Sequence, residues 1–240
     1  MKPIVEEVAW TEAPEAFVPR LAGARGVGLL RSGLLGSEQG RYSLLVANPF
    51  SGFRSTRSRI ELTGSGASRV LFGNPWEVLG RLMARYELLD EIDLPFPLGG
   101  CFGCWGYDLK NFVEPSVSRH ALNDLELPDC QLGFYDSLAV FDHQLRKVWV
   151  VATGMLPDGS RSRGQALAGA GFWRRVLAEP AVADAGHPSA AIASMSKTAG
   201  RRPVARVLSN FTKAGFVSAV RRAKEYIRQG DIYQVNLAQR

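Results

Sequence analysis

The chain has 240 residues, 46% of them hydrophobic and 22% charged, and a formal net charge of +6 at neutral pH. This composition is typical of a globular protein with a packed core and excludes a largely disordered chain. The arginine runs RSTRSR, RSR and RR are scattered and carry no interleaved aromatic residues, so we expect no nucleic-acid partner. No apolar run approaches the ~20 residues of a membrane helix, and the start MKPIVEEVAW lacks a signal-peptide core. We therefore expect a cytoplasmic protein with no membrane partner.

Elements are predicted along the first 150 residues by apolar runs between turn signals. Residues 27–33 and 41–49 read as two apolar strands joined by a polar, glycine-rich loop, and residues 52–62 read as a weaker, exposed strand pair. A helix is predicted over residues 75–86, with Asn74 as its N-cap, Pro75 at its first position and Glu77 completing a capping box. Its predicted buried stripe is Trp76, Leu79, Met83 and Tyr86.

The three cysteines, Cys101, Cys104 and Cys130, are an odd number, which fits a reducing compartment. Cys101 and Cys104 form a C-x-x-C, which has two interpretations: a redox pair or half a zinc site, and two small side chains in a buried strand. Redox pairs usually open a helix, and a zinc site needs two further ligands. The glycine-rich surroundings, GGCFGCWGYD, favour the structural interpretation and a strand over residues 101–107.

A β-hairpin is predicted next, with strands 138–141 and 147–152 around a loop at residues 143–145. A helix over residues 161–177 follows, and its apolar residues are Leu167, Phe172, Trp173, Val176 and Leu177. Residues 179–204 are rich in Ala, Gly, Ser and Pro and read as a linker. The last helix is predicted over residues 213–228, from an N-cap at Thr212 to a left-handed cap at Gly230.

A strand is predicted at the end of the chain, with Tyr233, Val235 and Leu237 on one side and Gln234 and Asn236 on the other. A lone strand leaves its backbone groups unpaired, so it would join the first domain's sheet or pair with strands beyond Arg240. Gln234 and Asn236, on the polar side, could face an active site, but a hydrogen-bonded or solvent-facing strand surface is the simpler interpretation.

The predicted fold is α+β, with antiparallel β-sheets packed as a sandwich and helices outside it. The predicted domains are an N-terminal domain at residues 1–178, a linker at 179–204, and the start of a truncated second domain at 205–240.

Several motifs together resemble one family. The final segment, FTKAGFVSAVRRAKEYIRQGDIYQVNLAQR, is similar to the start of the chorismate-binding domain shared by anthranilate synthase component I and aminodeoxychorismate synthase component I. The upstream motifs RSG, RYSLLVANP, LPFPLGGCFGCWGYDL and LPDCQLGFYDSLAVFDH match the N-terminal domain of the same enzymes in order and spacing. The resemblance therefore covers the entire chain and implies their N-terminal fold.

The branch of the family is indicated by residues 46–49. Val46, Ala47, Asn48 and Pro49 resemble the Val-Ala-Asp-Pro of aminodeoxychorismate synthases, and YQVNLAQR also favours that branch. The Leu-Leu-Glu-Ser signature usual in anthranilate synthases does not occur in this sequence. The alternatives are an anthranilate synthase component I, and a non-catalytic aromatic amino-acid-binding or docking module.

The resemblance implies a chorismate-using enzyme whose catalytic part is absent from this chain. The complete component I uses magnesium, chorismate, and ammonia from a glutamine amidotransferase (component II), and makes 4-amino-4-deoxychorismate, a precursor of 4-aminobenzoate and folate. The family's Pro-Ile-Lys-Gly-Thr segment, with its nucleophilic lysine, does not occur here, nor do its magnesium-binding glutamates. We expect no catalytic residue, metal site or cofactor in this chain, chorismate binding only with the missing domain, and an inactive fragment.

The carboxylates that are present lie apart, as Glu6 with Glu7, Asp90 to Asp93, and Asp124 with Glu126, and read as solvated turns. A metal site for a hard cation would need them clustered. This agrees with the absence that the resemblance implies.

One ligand site is implied within the fragment. Some members of this branch bind tryptophan in the N-terminal domain, and the matching positions here are Ser32, Gln39, Gly40, Arg41 and Tyr42. A serine hydroxyl and loop backbone suit the polar ends of an amino acid, and Tyr42 suits an indole. The alternative is an ordinary loop tip followed by an ordinary strand residue.

Overall fold

The computed structural model describes residues 1–34, 40–64, 66–88, 92–117, 125–179 and 208–239. The chain divides into two units, Met1–Ala183 and Asp184–Arg240. No described helix has the length and apolar character needed to cross a bilayer. Much of the predicted linker, from residue 180 onward, lies outside the described residues, so the predicted domain limits stay a prediction.

The first unit consists of two five-stranded antiparallel sheets with few helices, as predicted. The first sheet has the spatial order β1, β10, β9, β3, β2, and its strands are Ile4–Ala9, Lys147–Ala152, Ser137–Asp142, Tyr42–Val46 and Gly28–Leu30. The second sheet has the order β6, β5, β4, β8, β7, and its strands are Ala67–Phe72, Arg59–Gly64, Ser51–Thr56, Cys130–Tyr135 and Gly100–Trp105. The predicted hairpin is confirmed as β9 and β10.

One helix covers a face of each sheet. Helix α2, Arg163–Ala178, packs on β1, β9 and β10 and buries Trp173 completely. Helix α1, Pro75–Arg85, packs its buried residues against Phe53, Ile60, Leu132 and Phe134 of the second sheet. A third cluster, which includes Tyr135, Val140 and Phe102, lies where the two sheets meet. The sheets therefore share a core, and the helices lie outside it.

The predicted buried stripe of α1 is only partly correct. Trp76 and Met83 are about half exposed, while the core contacts come from Val78, Leu79 and Leu82. These residues and Pro75 recur at three- and four-residue spacing, which defines one helix face. The Trp76 indole lies across the surface, where it donates to the carbonyl of Leu109 at 3.3 Å. In α2, the predicted Leu167 is likewise exposed, at 48%.

The strand pair at residues 52–62 is not exposed, in contrast to the prediction. Strands β4 and β5 lie inside the second sheet, and Phe53 and Ile60 are buried against α1. Each strand carries one arginine, Arg54 in β4 and Arg59 in β5, on the face away from α1, and this gave the pair a polar appearance in the sequence.

The second unit contains helix α3, Lys213–Gln229. Both predicted caps are confirmed: the Thr212 hydroxyl accepts a hydrogen bond from the Gly215 amide, and Gly230 has a left-handed φ of 83°. The described residues after Gly230 form no strand and Tyr233 is 93% exposed, so the first predicted pairing, with the first domain's sheet, is wrong and the other stays a prediction. No described strand pairs with this segment, and an unpaired strand has no ladder to stabilise it.

Asp136 joins the two sheets, since it alone separates β8 in the second sheet from β9 in the first. Its carbonyl accepts from the Thr153 amide and hydroxyl at 2.7 and 3.0 Å, and its carboxylate accepts from the Gln165 amide at 3.3 Å. Burial raises the pKa of Asp136 from 3.8 to about 6, against the opposing effect of the Gln165 hydrogen bond. The buried side chain therefore carries its charge at neutral pH at a cost in stability.

We expect Asp136→Asn to raise the free energy of unfolding by roughly 1–3 kcal/mol at pH 8. The introduced asparagine side chain can still accept the hydrogen bond from Gln165 Nε2, and it carries no charge that burial would destabilise. The folded pKa lies above the unfolded one, so protonation favours the fold and stability falls as pH rises through the folded pKa. The advantage should be small near pH 4, grow to about pH 6, and level off above. Urea unfolding across this range measures it, and a variant that is equally destabilised at every pH would contradict it.

Candidate functional site

The described residues that were predicted to bind tryptophan lie where β2 ends and β3 begins. A cavity of about 320 Å³ is lined there by Leu30, Ser32, Tyr42, Leu44 and Phe96, among others. The Ser32 hydroxyl donates to the carbonyl of Tyr42, and the Ser32 amide donates to the Ser43 hydroxyl at 3.1 Å. The structure thus brings Ser32 and Tyr42 together, as expected from antiparallel pairing of β2 with β3. We call this space the serine cavity.

The remaining predicted residues behave differently. Gly40 is buried just before β3, and Gln39 lies outside the described residues. Arg41 is already engaged: its Nε and Nη2 atoms donate to Oδ2 of Asp142 at 3.0 and 2.7 Å, and its guanidinium lies over the Tyr42 ring. Arg41 therefore anchors the start of β3 to β9, and it does not line the serine cavity.

Asp142 is the buried partner of this pair, with a side chain 2% exposed. Burial alone would raise the pKa of Asp142, but hydrogen bonds from Arg41 and from the amides of Gln144 and Leu145 lower it below the ordinary value. The carboxylate therefore stays ionised and closes the β9–β10 turn while it holds Arg41.

Behind Ser32 lies a hydrogen-bond chain that sequence reasoning missed. The Ser43 hydroxyl contacts Nε2 of His143 at 2.7 Å and accepts from the Ser32 amide. Burial, followed by the charge of Arg31, lowers the pKa of His143, so the imidazole is neutral at pH 7. Since Ser43 and His143 are 100 residues apart in sequence, no local pattern could have paired them. Ser43 is fully buried and does not line the serine cavity, so its hydroxyl supports Ser32 from behind.

Tyr42 forms the aromatic wall of the serine cavity. Its ring packs edge-on against Phe96, with the ring centroids 5.7 Å apart. Its buried hydroxyl has no hydrogen-bond partner in the part of the chain that the structure describes. A buried hydroxyl without a partner is costly, and a ligand with a polar group could satisfy it after a small shift of the ring.

A second, larger cavity of about 690 Å³ lies on the second sheet beside β2, and we call it the sheet cavity. Its lining includes Arg54, Glu61, Phe102, Trp105, Gln131 and Tyr135. None of these residues was predicted as a site residue. The signal that could have pointed to it is the pair of glycines, Gly52 and Gly133, which lie opposite each other on β4 and β8.

The C-x-x-C motif lies on strand β7, as predicted, and not at a helix start. The predicted burial is wrong, because β7 is at the edge of its sheet and Cys104 is exposed. All three cysteines are free thiols. Burial raises the pKa of the Cys101 thiol to about 11 and that of Cys130 to about 12. Both are therefore protonated at neutral pH, which opposes thiolate redox chemistry and metal ligation.

Metal binding finds no support in the described part of the chain, where no three His, Cys, Asp or Glu side chains are grouped to hold an ion. Glu6 and Glu7 instead pair across the surface with Arg174 and Lys147, at 3.5 and 2.9 Å. The residues present do not fit the magnesium site that the family resemblance implies. Gln234 and Asn236 are both exposed and belong to no strand.

Comparison with known proteins defines the class of this chain. The model of the chorismate binding enzyme family matches residues 41–240, and the chain belongs to that family. It is 31% identical over 242 residues to anthranilate synthase component 1 of Acetivibrio thermocellus, covering 99% of this chain and 47% of that protein. It is 27% identical over 243 residues to aminodeoxychorismate synthase component 1 of Escherichia coli strain K12, covering 100% of this chain and 47% of that protein.

The fold has a counterpart among solved structures. The crystal structure of anthranilate synthase component I from Streptococcus pneumoniae TIGR4 superposes with a TM-score of 0.56 at 22% identity, over 94% of this chain and 46% of that one. At this identity the likeness shows the fold alone. The chain spans about half the length of the curated relatives it matches. Because those relatives carry two different names, the comparisons leave both branches of the family open.

Proposed function

We propose that this chain is the N-terminal part of an aminodeoxychorismate synthase component I in the cytoplasm. The complete protein would convert chorismate, with ammonia from a glutamine amidotransferase partner, to 4-amino-4-deoxychorismate for 4-aminobenzoate and folate synthesis. Membership of the chorismate binding enzyme family supports the substrate. In this proposal the chain supplies the N-terminal fold and contributes no magnesium ligand and no catalytic residue.

The observation that carries the choice of branch is the segment at residues 46–49, which begins at the last residue of β3. Asn48 adopts a left-handed φ of 56°, its amide donates to the Arg25 carbonyl at 2.7 Å, and its side-chain oxygen accepts from the Arg25 amide at 3.1 Å. Asparagine and aspartate both tolerate this backbone and both present a short acceptor. Asn48 therefore fits the place of the aspartate in Val-Ala-Asp-Pro, which supports the aminodeoxychorismate branch.

The second candidate is an anthranilate synthase component I. Its support is the 31% identity to the Acetivibrio thermocellus protein and the 32% identity to anthranilate synthase component 1 of Cereibacter sphaeroides. The two candidates share the substrate and differ in the product.

An activity assay tests the proposed division of labour. The purified chain, mixed with chorismate, ammonium and magnesium, should form no aminodeoxychorismate and no anthranilate above the uncatalysed rate. The full-length Escherichia coli relative serves as the positive control. Turnover by the 240-residue chain alone would contradict the proposal.

We further propose that the serine cavity binds tryptophan through Ser32 and Tyr42. Of the other predicted residues, Gly40 and Arg41 precede Tyr42 without lining the cavity, and Gln39 lies outside the described residues. The Ser32 and Tyr42 contacts and the partnerless Tyr42 hydroxyl support it. Calorimetry should detect binding at millimolar tryptophan and a several-fold weaker affinity for Ser32→Ala. Ser160→Ala, at an exposed turn outside the cavity, is the matched control and should bind as the unmodified chain does. No heat at millimolar ligand would refute this assignment.

A further inference from the structure

The sheet cavity has walls of two different kinds. The aromatic rings of Phe102 and Tyr135 contact each other along one part of it, where Trp105 also borders it, while Arg54, Glu61 and Gln131 form a polar row. The polar row follows from register, because Arg54 lies opposite Glu61 on β5 and opposite Gln131 on β8. At about 690 Å³, the cavity falls within the volume range of small-molecule sites.

The aromatic wall depends on Gly133. A β-carbon at this position would lie 2.6 Å from the Tyr135 ring, so only glycine lets that ring lie flat on the strand. The Tyr135 hydroxyl donates to the Gly26 carbonyl at 2.6 Å, which fixes the ring between the second sheet and the segment before β2. Phe102 packs edge-on against Tyr135 at 5.8 Å, and Trp105 is 46% exposed. A planar apolar group fits such rigid aromatic surfaces.

The polar row has one positive charge that is only weakly paired. Arg54 Nη1 lies 3.9 Å from Glu61 Oε1, beyond hydrogen-bond distance, whereas Arg59 contacts the same oxygen directly. Glu61 is shared by two arginines, so counting Arg59, which lies beside the row but does not line the cavity, the local net charge is +1. Within the described chain, no hydrogen bond holds the Arg54 guanidinium, so its donors are available to an anion.

We propose that the sheet cavity binds a planar aromatic carboxylate. The ring lies against Tyr135 and Phe102, and the carboxylate accepts hydrogen bonds from Arg54 and from the Gln131 amide. The row of Gly52 and Gly133 is two residues from the row of Arg54 and Gln131, a separation of roughly 6–7 Å along the strands. This spacing matches a ring with its carboxylate at one end. The proposal uses none of the residues of the serine cavity except Leu30, which borders both, and does not depend on the proposed function.

The test compares two ligands and two variants. The probes are 2-naphthoate and its uncharged match, 2-naphthol, titrated into the 240-residue chain by calorimetry. Arg54→Met and Arg59→Met each remove one arginine from Glu61 and keep an apolar stem, but only Arg54 lines the cavity. We expect Arg54→Met to weaken 2-naphthoate binding at least about fivefold and Arg59→Met to change it less than about twofold. Neither substitution should change the affinity for 2-naphthol.

A second readout locates the probe. The indole N–H signal of Trp105, assigned by its loss in Trp105→Phe, should shift on addition of 2-naphthoate in the unmodified chain, and less in Arg54→Met at the same concentration. Equal affinity of Arg54→Met and the unmodified chain would overturn the proposal. So would a Trp105 signal that does not move at saturating 2-naphthoate, or no binding at millimolar concentration.

Discussion

Replacing Trp173 by alanine should lower the free energy of unfolding by about 3–5 kcal/mol, the largest effect that we expect from a single core substitution. The indole is completely buried between α2 and the first sheet, and its Nε1 atom donates to the Ser137 hydroxyl at 3.3 Å. Truncation would leave a cavity and remove the partner of a buried hydroxyl. Denaturant unfolding monitored by far-UV circular dichroism measures the change.

Leu167→Ala is the matched control, because Leu167 lies on the same helix and is 48% exposed. Both substitutions place alanine, the best helix former, in α2, so helix propensity cannot explain a difference between them. Leu167→Ala should cost less than about 1 kcal/mol. Similar losses for the two variants would mean that α2 does not pack on the sheet through Trp173.

Asp142→Ala should cost about 2–4 kcal/mol, the second large effect, because one buried carboxylate accepts from four donor atoms of three residues. It accepts from Arg41 and from the amides of Gln144 and Leu145, and its loss leaves those amides in the turn without their acceptor. Because the pKa of Asp142 is lowered in the fold, its contribution is present above the unfolded pKa and is lost as pH falls through the folded pKa. The cost should therefore shrink in acid.

Asp158→Ala provides the comparison for Asp142. Asp158 also accepts hydrogen bonds from a turn, through the Ser160 amide at 2.9 Å and hydroxyl at 2.6 Å, but it is exposed. Its replacement should leave the unfolding midpoint nearly unchanged. An Asp142→Ala variant as stable as Asp158→Ala at pH 7 would show that the Arg41–Asp142 anchor does not hold β3 to the β9–β10 turn.

The helices could be predicted from the sequence because their capping residues are local signals. The Asn74 and Thr212 side chains cap α1 and α3 as predicted, and Gly230 takes the left-handed conformation that its position demanded. These signals act within four residues, so no tertiary information is needed to see them. The hairpin of β9 and β10 was readable for the same reason.

The pairing of strands that are distant in sequence could not be predicted from the sequence. Strand β1 lies at the edge of the first sheet, and its adjacent Glu6 and Glu7 interrupt the alternation that marks a strand. Conversely, residues 233–237 alternate well and yet form no strand among the described residues, because alternation describes a side-chain pattern and supplies no partner. Strand β8 was missed as well, although it is the bridge between β4 and β7.

The candidate sites also differ in how far the sequence predicts them, according to whether their residues are on neighbouring or distant segments. Ser32 and Tyr42 lie close together because β2 and β3 are neighbouring strands, so the resemblance carried their residues to one cavity. The support from Ser43 and His143 depends on a contact between β3 and the turn after β9, which no local pattern reports. The sheet cavity requires four strands in register, and its arginine looked like part of a solvated charge run.

The identity of the amino product tests the central claim most directly. Residues 1–240 can replace the matching 47% of the Escherichia coli aminodeoxychorismate synthase component 1 and, in a parallel hybrid, that of the Acetivibrio thermocellus anthranilate synthase component 1. Each purified hybrid is supplied with chorismate, ammonium and magnesium, and its products are separated by chromatography and mass. We predict that the chain supports 4-amino-4-deoxychorismate formation in the first hybrid at least about tenfold better, relative to each parent, than anthranilate formation in the second. Activity confined to the anthranilate hybrid would contradict the assignment.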